Sequence, residues 1–109
     1  MKILVTGSAG FIGQWVVQRL VERGDLVSEL DMRNVPAARG VAEHHVCDIR
    51  DSARLASIMQ SFSPDAVIHL AARTDLDERT DLSGYSSNID GVTNLASAIE
   101  ATPSVKRAI

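Results

Sequence analysis

Short apolar runs alternate with stretches of helical hydrophobic spacing along the 109-residue chain. The apolar runs are rich in β-branched residues and end at glycine or polar residues, which is typical of buried strands. Five strands are predicted, at residues 2–6, 26–30, 41–47, 66–70 and 105–109. Polar residues interrupt the third run, and the fifth is short.

Three helices are predicted between these strands, because apolar side chains recur there at intervals of three and four residues. The first covers about residues 11–23, and Gly24 supplies its stop. Its predicted buried face consists of Ile12, Trp15, Val16, Leu20 and Val21.

The second helix is capped by Asp51 or Ser52 and is broken by residues 63–65. Its predicted buried face consists of Leu55, Ile58, Met59 and Phe62. The third helix ends near Thr102 and Pro103. Its predicted buried face consists of Ile89, Val92, Leu95, Ala96 and Ile99. The polar stretches 32–40 and 73–84 are predicted to be loops.

Strands that alternate with helices predict an α/β domain. Its sheet should be parallel and doubly wound, with right-handed crossovers and helices on both faces. The length suits a single domain, residues 1–109. Because the chain ends where the last strand has hardly begun, we expect this sheet to be truncated after the start of its fifth strand.

The composition and charge exclude several classes of partner and location. A net charge of −3 argues against partners such as nucleic acid or an anionic membrane surface. The sequence has no apolar run long enough to cross a bilayer and no signal-peptide pattern. Its single cysteine, Cys47, cannot form an internal disulfide, which fits a reducing compartment. We therefore expect a cytoplasmic protein.

The first candidate site is a glycine-rich turn between the first strand and the first helix, with the sequence TGSAGFIG at residues 6–13. Gly7 can adopt the tight turn that leaves the strand, and Gly13 lets the helix pack close to the sheet. Gly10 leaves room for a pyrophosphate beside the backbone, where the helix N-terminus offers unpaired N–H groups. The alternative is a glycine-rich turn without a ligand.

The second candidate is Asp31, directly after the second strand. A carboxylate there accepts hydrogen bonds from both hydroxyls of an adenosine ribose and repels a 2′-phosphate, so it favours NAD over NADP. Arg33 points the other way, because a nearby guanidinium can hold a 2′-phosphate. A strand-end aspartate can also be no more than a turn former.

The spacing T-G-x-x-G-F-I-G resembles the short-chain dehydrogenase/reductase superfamily, and in particular its extended branch of NAD-dependent epimerases and dehydratases. Three later segments also resemble that family: CDIRD at 47–51, DAVIHLAA at 65–72 and NIDGVTNL at 88–95. Cys47 stands where the family has glycine, and Val92 where it has threonine. The resemblance implies a Rossmann-like fold with NAD as the cofactor.

The residues that the resemblance implies for cofactor binding lie in the turn, at the strand ends and on the third helix. Asp48 and Ile49 are expected at the adenine, and the residues after the fourth strand beside the ribose and phosphates. The full set is Gly7, Gly10, Phe11, Ile12, Gly13, Asp31, Met32, Arg33, Asp48, Ile49, Leu70, Ala71, Ala72, Arg73 and Asn88. Gly91 is expected to permit close helix packing.

Catalytic residues are not expected in these 109 residues. The resemblance implies a tyrosine acid/base followed four positions later by lysine, but the residue four positions after Tyr85 is Ile89. The active-site region and the substrate domain are expected to be absent from this chain, which alone should not turn over substrate. His69 is interpreted as a structural strand residue, and no metal site is predicted.

The functional hypothesis is NAD binding by the N-terminal portion of a nucleotide-sugar epimerase or dehydratase. Two alternatives stay open, an NADP-dependent carbonyl reductase of the same superfamily and a dinucleotide-binding or sensor module without catalysis. A nucleotide sugar is the expected partner of the full-length protein, with a homodimer as the candidate assembly. The identity of the sugar and the choice between epimerisation and dehydration stay open.

Overall fold

Five parallel strands form one sheet in the order β3-β2-β1-β4-β5. The structure, a computed structural model, describes residues 1–71 and 83–109, with side chains from Asn88 onward in the second range. The elements are β1 (Lys2–Thr6), α1 (Phe11–Arg23), β2 (Leu26–Asp31), β3 (Glu43–Val46), α2 (Ser52–Phe62), β4 (Ala66–His69), α3 (Ser83–Glu100) and β5 (Arg107–Ala108). The α/β Rossmann-like fold is confirmed.

The strand order reverses direction between β1 and β4, which are neighbours in the sheet although β2 and β3 lie between them in the chain. All carboxyl ends lie at one edge because every pairing is parallel. A crevice therefore opens at that edge, where doubly wound sheets bind their ligands.

Hydrophobic clusters cover both faces of the sheet, so the doubly wound arrangement is confirmed. On β1, Leu4 packs in the cluster with α2 and α3, whereas Ile3 and Val5 pack in the cluster with α1. Successive side chains of a strand point to opposite faces, so three successive residues of β1 serve both cores.

The predicted face of α2 is confirmed. Its buried residues are Leu55, Ile58, Met59 and Phe62. Asp51 is the N-cap, and its carboxylate accepts a hydrogen bond from the Arg54 N–H at 3.1 Å. The helix ends at Ser63, which adopts the left-handed conformation directly before Pro64.

The predicted face of α1 is wrong at its N-terminal half. Ile12 and Trp15 are exposed, the indole with 60% of its surface, and α1 buries Gly13 and Val17 instead. A Cβ at Gly13 would overlap the carbonyl oxygen of Gly7 and lie 2.9 Å from the Cα of Ser8. The glycine is thus the point of closest approach, and it rotates the helix so that its larger apolar neighbours face outward.

The predicted face of α3 is partly wrong, although Leu95 is buried as predicted and Ile99 is partly buried. Ile89, Val92 and Ala96 are exposed, whereas Gly91 and Leu95 are buried, as is Ala98. A Cβ at Gly91 would lie 2.6 Å from Cγ1 of Ile49, so close packing at this glycine turns the 91–95–98 face inward, as expected for Gly91.

Several predicted boundaries also move. The third strand covers 43–46 rather than 41–47, the fourth ends at His69 rather than Leu70, and the fifth covers only 107–108. Of the predicted loop 73–84, residues 73–82 lie outside the described residues, and α3 already begins at Ser83. Within residues 1–71 and 83–109, no helix has the length and hydropathy needed to cross a bilayer.

The packing at Gly13 gives a prediction for folding stability. Gly13→Ala should lower the free energy of unfolding by about 3 kcal/mol, because its Cβ collides with backbone that cannot move aside. Gly24→Ala is the control, since this cap has φ +94° but no atom within 4 Å of an added Cβ, and should cost about 1 kcal/mol. Urea denaturation of both variants measures the difference, and equal losses would contradict the packing argument.

Candidate functional site

A cavity of about 770 Å³ opens at the carboxyl edge of the sheet. It is lined by Gly7, Gly10, Phe11, Ile12, Gly13, Leu30, Asp31, Met32, Arg33, Cys47, Asp48, Ile49, Arg50, Leu70, Ala71 and Asn88. Every described residue that the sequence predicted for cofactor binding is in this set. Ala72 and Arg73 lie outside the described residues.

A second cavity, of about 720 Å³, lies between α1 and the chain that follows β2. Its buried acid is Glu29, whose Oε1 already accepts a hydrogen bond from the Ala38 N–H and is paired with Nδ1 of His44, both at 2.7 Å. The Glu29 carboxylate thus links the loop after β2 to strand β3. The chemistry predicted from sequence therefore gathers in the first cavity.

The glycine turn presents free N–H groups to the 770 Å³ cavity. Gly7 has φ +70°, and its carbonyl accepts the Gly10 N–H at 3.1 Å, which closes the turn. The N-cap, Gly10, has no side chain to bond the first turn of α1. Within residues 1–71 and 83–109, no acceptor bonds the N–H groups of residues 11–13. Such a helix terminus attracts an anion, above all a phosphate.

The missing side chain of Gly10 leaves room beside the backbone that is bounded by the Gly7 carbonyl and the Arg33 guanidinium. A Cβ added there would lie 3.3 Å from the Gly7 carbonyl oxygen and 3.6 Å from Nη2 of Arg33, and Gly10 has ordinary extended backbone. Gly13, in contrast, is required by helix packing. The geometry therefore fits a pyrophosphate cradle that a larger side chain at Gly10 would occupy.

Asp31 is buried at the end of β2 and accepts four hydrogen bonds. Its Oδ2 accepts from the Ala9 N–H at 3.0 Å and from Nη2 of Arg33 at 3.3 Å. Its Oδ1 accepts from the backbone N–H and Nε of Arg33, at 2.9 and 3.1 Å. Burial acts to raise the pKa of the carboxyl, but these hydrogen bonds and the guanidinium charge outweigh burial and hold the pKa below its ordinary value.

A similar clamp holds Asp48, which lines the same cavity and which the resemblance predicts beside the adenine. The Arg50 guanidinium donates to both carboxylate oxygens, at 2.7 Å for the shortest bond, and holds the pKa of Asp48 below its ordinary value. The sequence interpretation missed Arg50, although its position in the CDIRD segment two residues after the acid was a signal that it could reach the same site.

Asn94 is a second residue that the sequence interpretation left without a role. Its amide nitrogen lies 3.0 Å from the carbonyl oxygens of both Ile49 and Arg50, so α3 holds the loop after β3 in place. Asn94 lies in the last of the segments that resemble the family, but its partners are more than forty residues away. The segment that contains Asn94 was therefore recognised from the sequence, but residue spacing could not predict that its amide would contact the Ile49 and Arg50 carbonyls.

Thr6 joins the ends of β1 and β4 beneath the cavity. Its buried hydroxyl oxygen accepts from the N–H groups of Leu70 and Ala71 at 3.2 Å, and lies 2.7 Å from Nδ1 of His69. The Leu70 N–H also donates to the backbone carbonyl of Thr6 at 3.0 Å, so the Ala71 N–H depends on the hydroxyl more than the Leu70 N–H does. Burial lowers the pKa of His69, which fits a neutral imidazole in a structural role.

Other candidate chemistry is weak in this part of the chain. Cys47 is buried, and burial raises the pKa of its thiol, which agrees with its interpretation as a small hydrophobic residue. In the described ranges, no three His, Cys, Asp or Glu side chains are grouped so that they could hold a metal ion. The side chain of Tyr85 lies outside the described residues.

Comparison with known proteins matches residues 3–109 to the NAD dependent epimerase/dehydratase family. The chain belongs to this family. The predicted resemblance is therefore confirmed, and with it a family whose cofactor is NAD.

Both a dehydratase and an epimerase are among the relatives that are similar to the chain. CDP-glucose 4,6-dehydratase of Salmonella typhimurium is 30% identical, covering 99% of this chain and 33% of its own length. UDP-glucose 4-epimerase of Lactobacillus helveticus is 34% identical, covering 91% of this chain and 32% of its own. The chain thus spans about a third of the length of these curated relatives.

Solved structures give the same answer for the fold. The UDP-glucose 4-epimerase of Thermus thermophilus, crystallised as a complex with NAD, superposes with a TM-score of 0.86 at 31% identity. The match covers 98% of this chain and 36% of the Thermus chain.

The Thr6 contacts give a prediction for stability. Thr6→Val should lower the free energy of unfolding by about 1–3 kcal/mol, because it removes the hydroxyl partner of His69 and of the Ala71 N–H in a buried place. Thr6→Ser keeps the hydroxyl and should lose distinctly less. Chemical denaturation of the pair separates hydrogen bonding from packing, and similar losses would show that packing alone matters.

The depressed pKa of Asp31 gives a prediction for pH dependence. Because the folded-state pKa lies below the ordinary 3.8, the stabilisation is complete above 3.8 and is lost as the pH falls through the folded-state value. Asp31→Asn should therefore flatten the acid limb of a plot of unfolding free energy against pH. Asp90→Asn, at an exposed position on α3, is the control, and parallel acid limbs for wild type and Asp31→Asn would contradict the assignment.

Proposed function

We propose that this chain binds NAD at the carboxyl edge of its sheet, as part of an enzyme that epimerises or dehydrates a nucleotide sugar. The observation that carries the proposal is the set of N–H groups at the start of α1 that have no acceptor in the described part of the chain, beside Gly10 and next to the carboxylate of Asp31. A dinucleotide needs both features at one place, an anion site for its pyrophosphate and an acceptor for its ribose hydroxyls.

In this proposal each part of the cavity contacts a different part of the dinucleotide. The turn at 7–13 holds the pyrophosphate, and Asp31 accepts the hydroxyls of the adenosine ribose. Asp48 and Ile49 border the adenine. Leu70, Ala71 and Asn88 line the far side of the cavity. Ala72 and Arg73 remain proposed members of the site through the resemblance alone.

The bound cofactor would supply hydride acceptance and return during the reaction. The residues of this chain bind and orient it, and they present no acid/base pair of the family type, since Ile89 stands four positions after Tyr85 and the only lysines are Lys2 and Lys106. We therefore propose that dinucleotide binding, without turnover, is the activity of these 109 residues.

The whole protein is proposed to act on a nucleotide sugar in the cytoplasm, in keeping with the substrates in the names of its relatives. A homodimer is proposed as well. Apolar Ile89 and Val92 are exposed on α3, and the proposed dimer would bury them. The NADP-dependent alternative draws its support from Arg33, which lines the cavity.

A substitution at Gly10 tests the proposal. Gly10→Val should preserve the fold, because the backbone there has φ −71° and ψ 170° and the Gly7 carbonyl, 3.3 Å from the added Cβ, has to move by only a few tenths of an ångström. The valine side chain should nevertheless fill the cradle. We expect NADH affinity to fall about tenfold or more, measured by fluorescence titration.

Gly24→Ala is the matched control, a glycine substitution far from the cavity that should lower stability and leave NADH affinity unchanged. If Gly10→Val folds and binds NADH like the wild type, the turn is only structural. If the wild-type chain binds no NADH, the proposed function is wrong.

A further inference from the structure

The carboxylate of Asp31 has no free acceptor position for a ribose. A carboxylate offers about four lone-pair sites, and four N–H donors already fill them. One donor is the backbone of Ala9, and the other three belong to Arg33: its backbone N–H, its Nε and its Nη2. Two of the four places are therefore taken by a side chain.

The position of the guanidinium matters as much as its bonds. Nη2 of Arg33 lies 3.6 Å from the place of a Cβ at Gly10, so the group lies between Asp31 and the glycine turn. In a dinucleotide the adenosine ribose connects adenine to pyrophosphate. A ribose that reaches Asp31 while its phosphates rest above Gly10 has to use the same space.

We propose that Arg33 determines cofactor specificity by occupying the ribose position on Asp31 and giving it up when a dinucleotide binds. This inference rests on the proposed function. The exchange leaves no buried charge unpaired, because the ribose hydroxyls replace the guanidinium on Asp31 while the Arg33 side chain, which is already more than half exposed, turns into solvent. The backbone N–H of Arg33 and the Ala9 N–H stay on Asp31, so the carboxylate keeps its orientation after the guanidinium leaves.

The displaced guanidinium has a second consequence. It is tethered two residues from Asp31 and thus stays within reach of the ribose 2′ position, where it can pair with a phosphate in a fork geometry. Arg33 accordingly weakens NAD binding, because it competes with the ribose for Asp31. It strengthens NADP binding, because its charge attracts the 2′-phosphate that Asp31 repels. Asp31 and Arg33 together therefore give a smaller preference for NAD over NADP than Asp31 alone would give.

The test compares NADH and NADPH titrations of the wild-type 109-residue chain and of Arg33→Met, which keeps a flexible side chain and removes its N–H donors. We expect the variant to bind NADH about two- to fivefold more tightly and NADPH more weakly. Arg33→Lys should lie between the two for NADPH, because it keeps the charge without the fork.

Arg19→Met is the control, since Arg19 is exposed on α1, pairs only with Glu22 at 3.7 Å among the described residues and does not line the cavity. It removes the same charge and should leave both affinities unchanged. A second readout needs no cofactor: the pKa of Asp31, followed by NMR of its carboxyl carbon, should rise in Arg33→Met.

The outcomes separate the two proposals. If the wild type binds NADH but Arg33→Met leaves its affinity unchanged or lowers it, the role of Arg33 is wrong and NAD binding stands. A parallel change for NADH and NADPH also overturns the role of Arg33. If the wild type binds neither dinucleotide, the proposed function fails, and the inference that rests on it fails too.

Discussion

Asp31 joins the glycine turn after β1, the end of β2 and the end of β3 through its side chain and its backbone carbonyl. Its side chain accepts the Ala9 N–H of the glycine turn, and its backbone carbonyl accepts the Cys47 N–H at the end of β3. The turn after β1 is thereby oriented by the residue that ends β2, and the loop with Asp48 starts from the same point. Geometry in the cavity depends on this single buried acid more than on any one loop.

The parallel sheet explains why the described residues predicted for the site line one cavity. Once strands and helices alternate, every strand carboxyl end lies at one edge. Residues 31, 48 and 70 then meet in space whatever the length of chain between them. The order of the motifs is sufficient for that conclusion, and no long-range contact has to be known. The apolar face of α2 was equally readable, since its large side chains mark the buried stripe without a competing glycine.

The rotations of α1 and α3 could not be read in this way. Hydrophobic spacing favours the largest apolar residues, but Gly13 and Gly91 set the closest approach of each helix to its neighbour. Trp15 and Ile89 are exposed as a result. The roles of Thr6 and Asn94 could not be predicted either, because the partners of each are more than forty residues distant in the chain. Local periodicity carries no information about such contacts.

The two acid–arginine pairs show how one local pattern has different consequences in different surroundings. Asp31 and Asp48 are each followed two residues later by an arginine that clamps the carboxylate. The Asp48 side chain is 35% exposed, so water can replace the guanidinium of Arg50 at little cost. The Asp31 side chain is 5% exposed. Water has little access to that carboxylate, so its free acceptor sites have to be filled either by Arg33 or by a ligand hydroxyl, since an unpaired buried charge is costly. The exchange of Arg33 for a ribose therefore replaces one set of hydrogen bonds by another and leaves the buried charge compensated throughout.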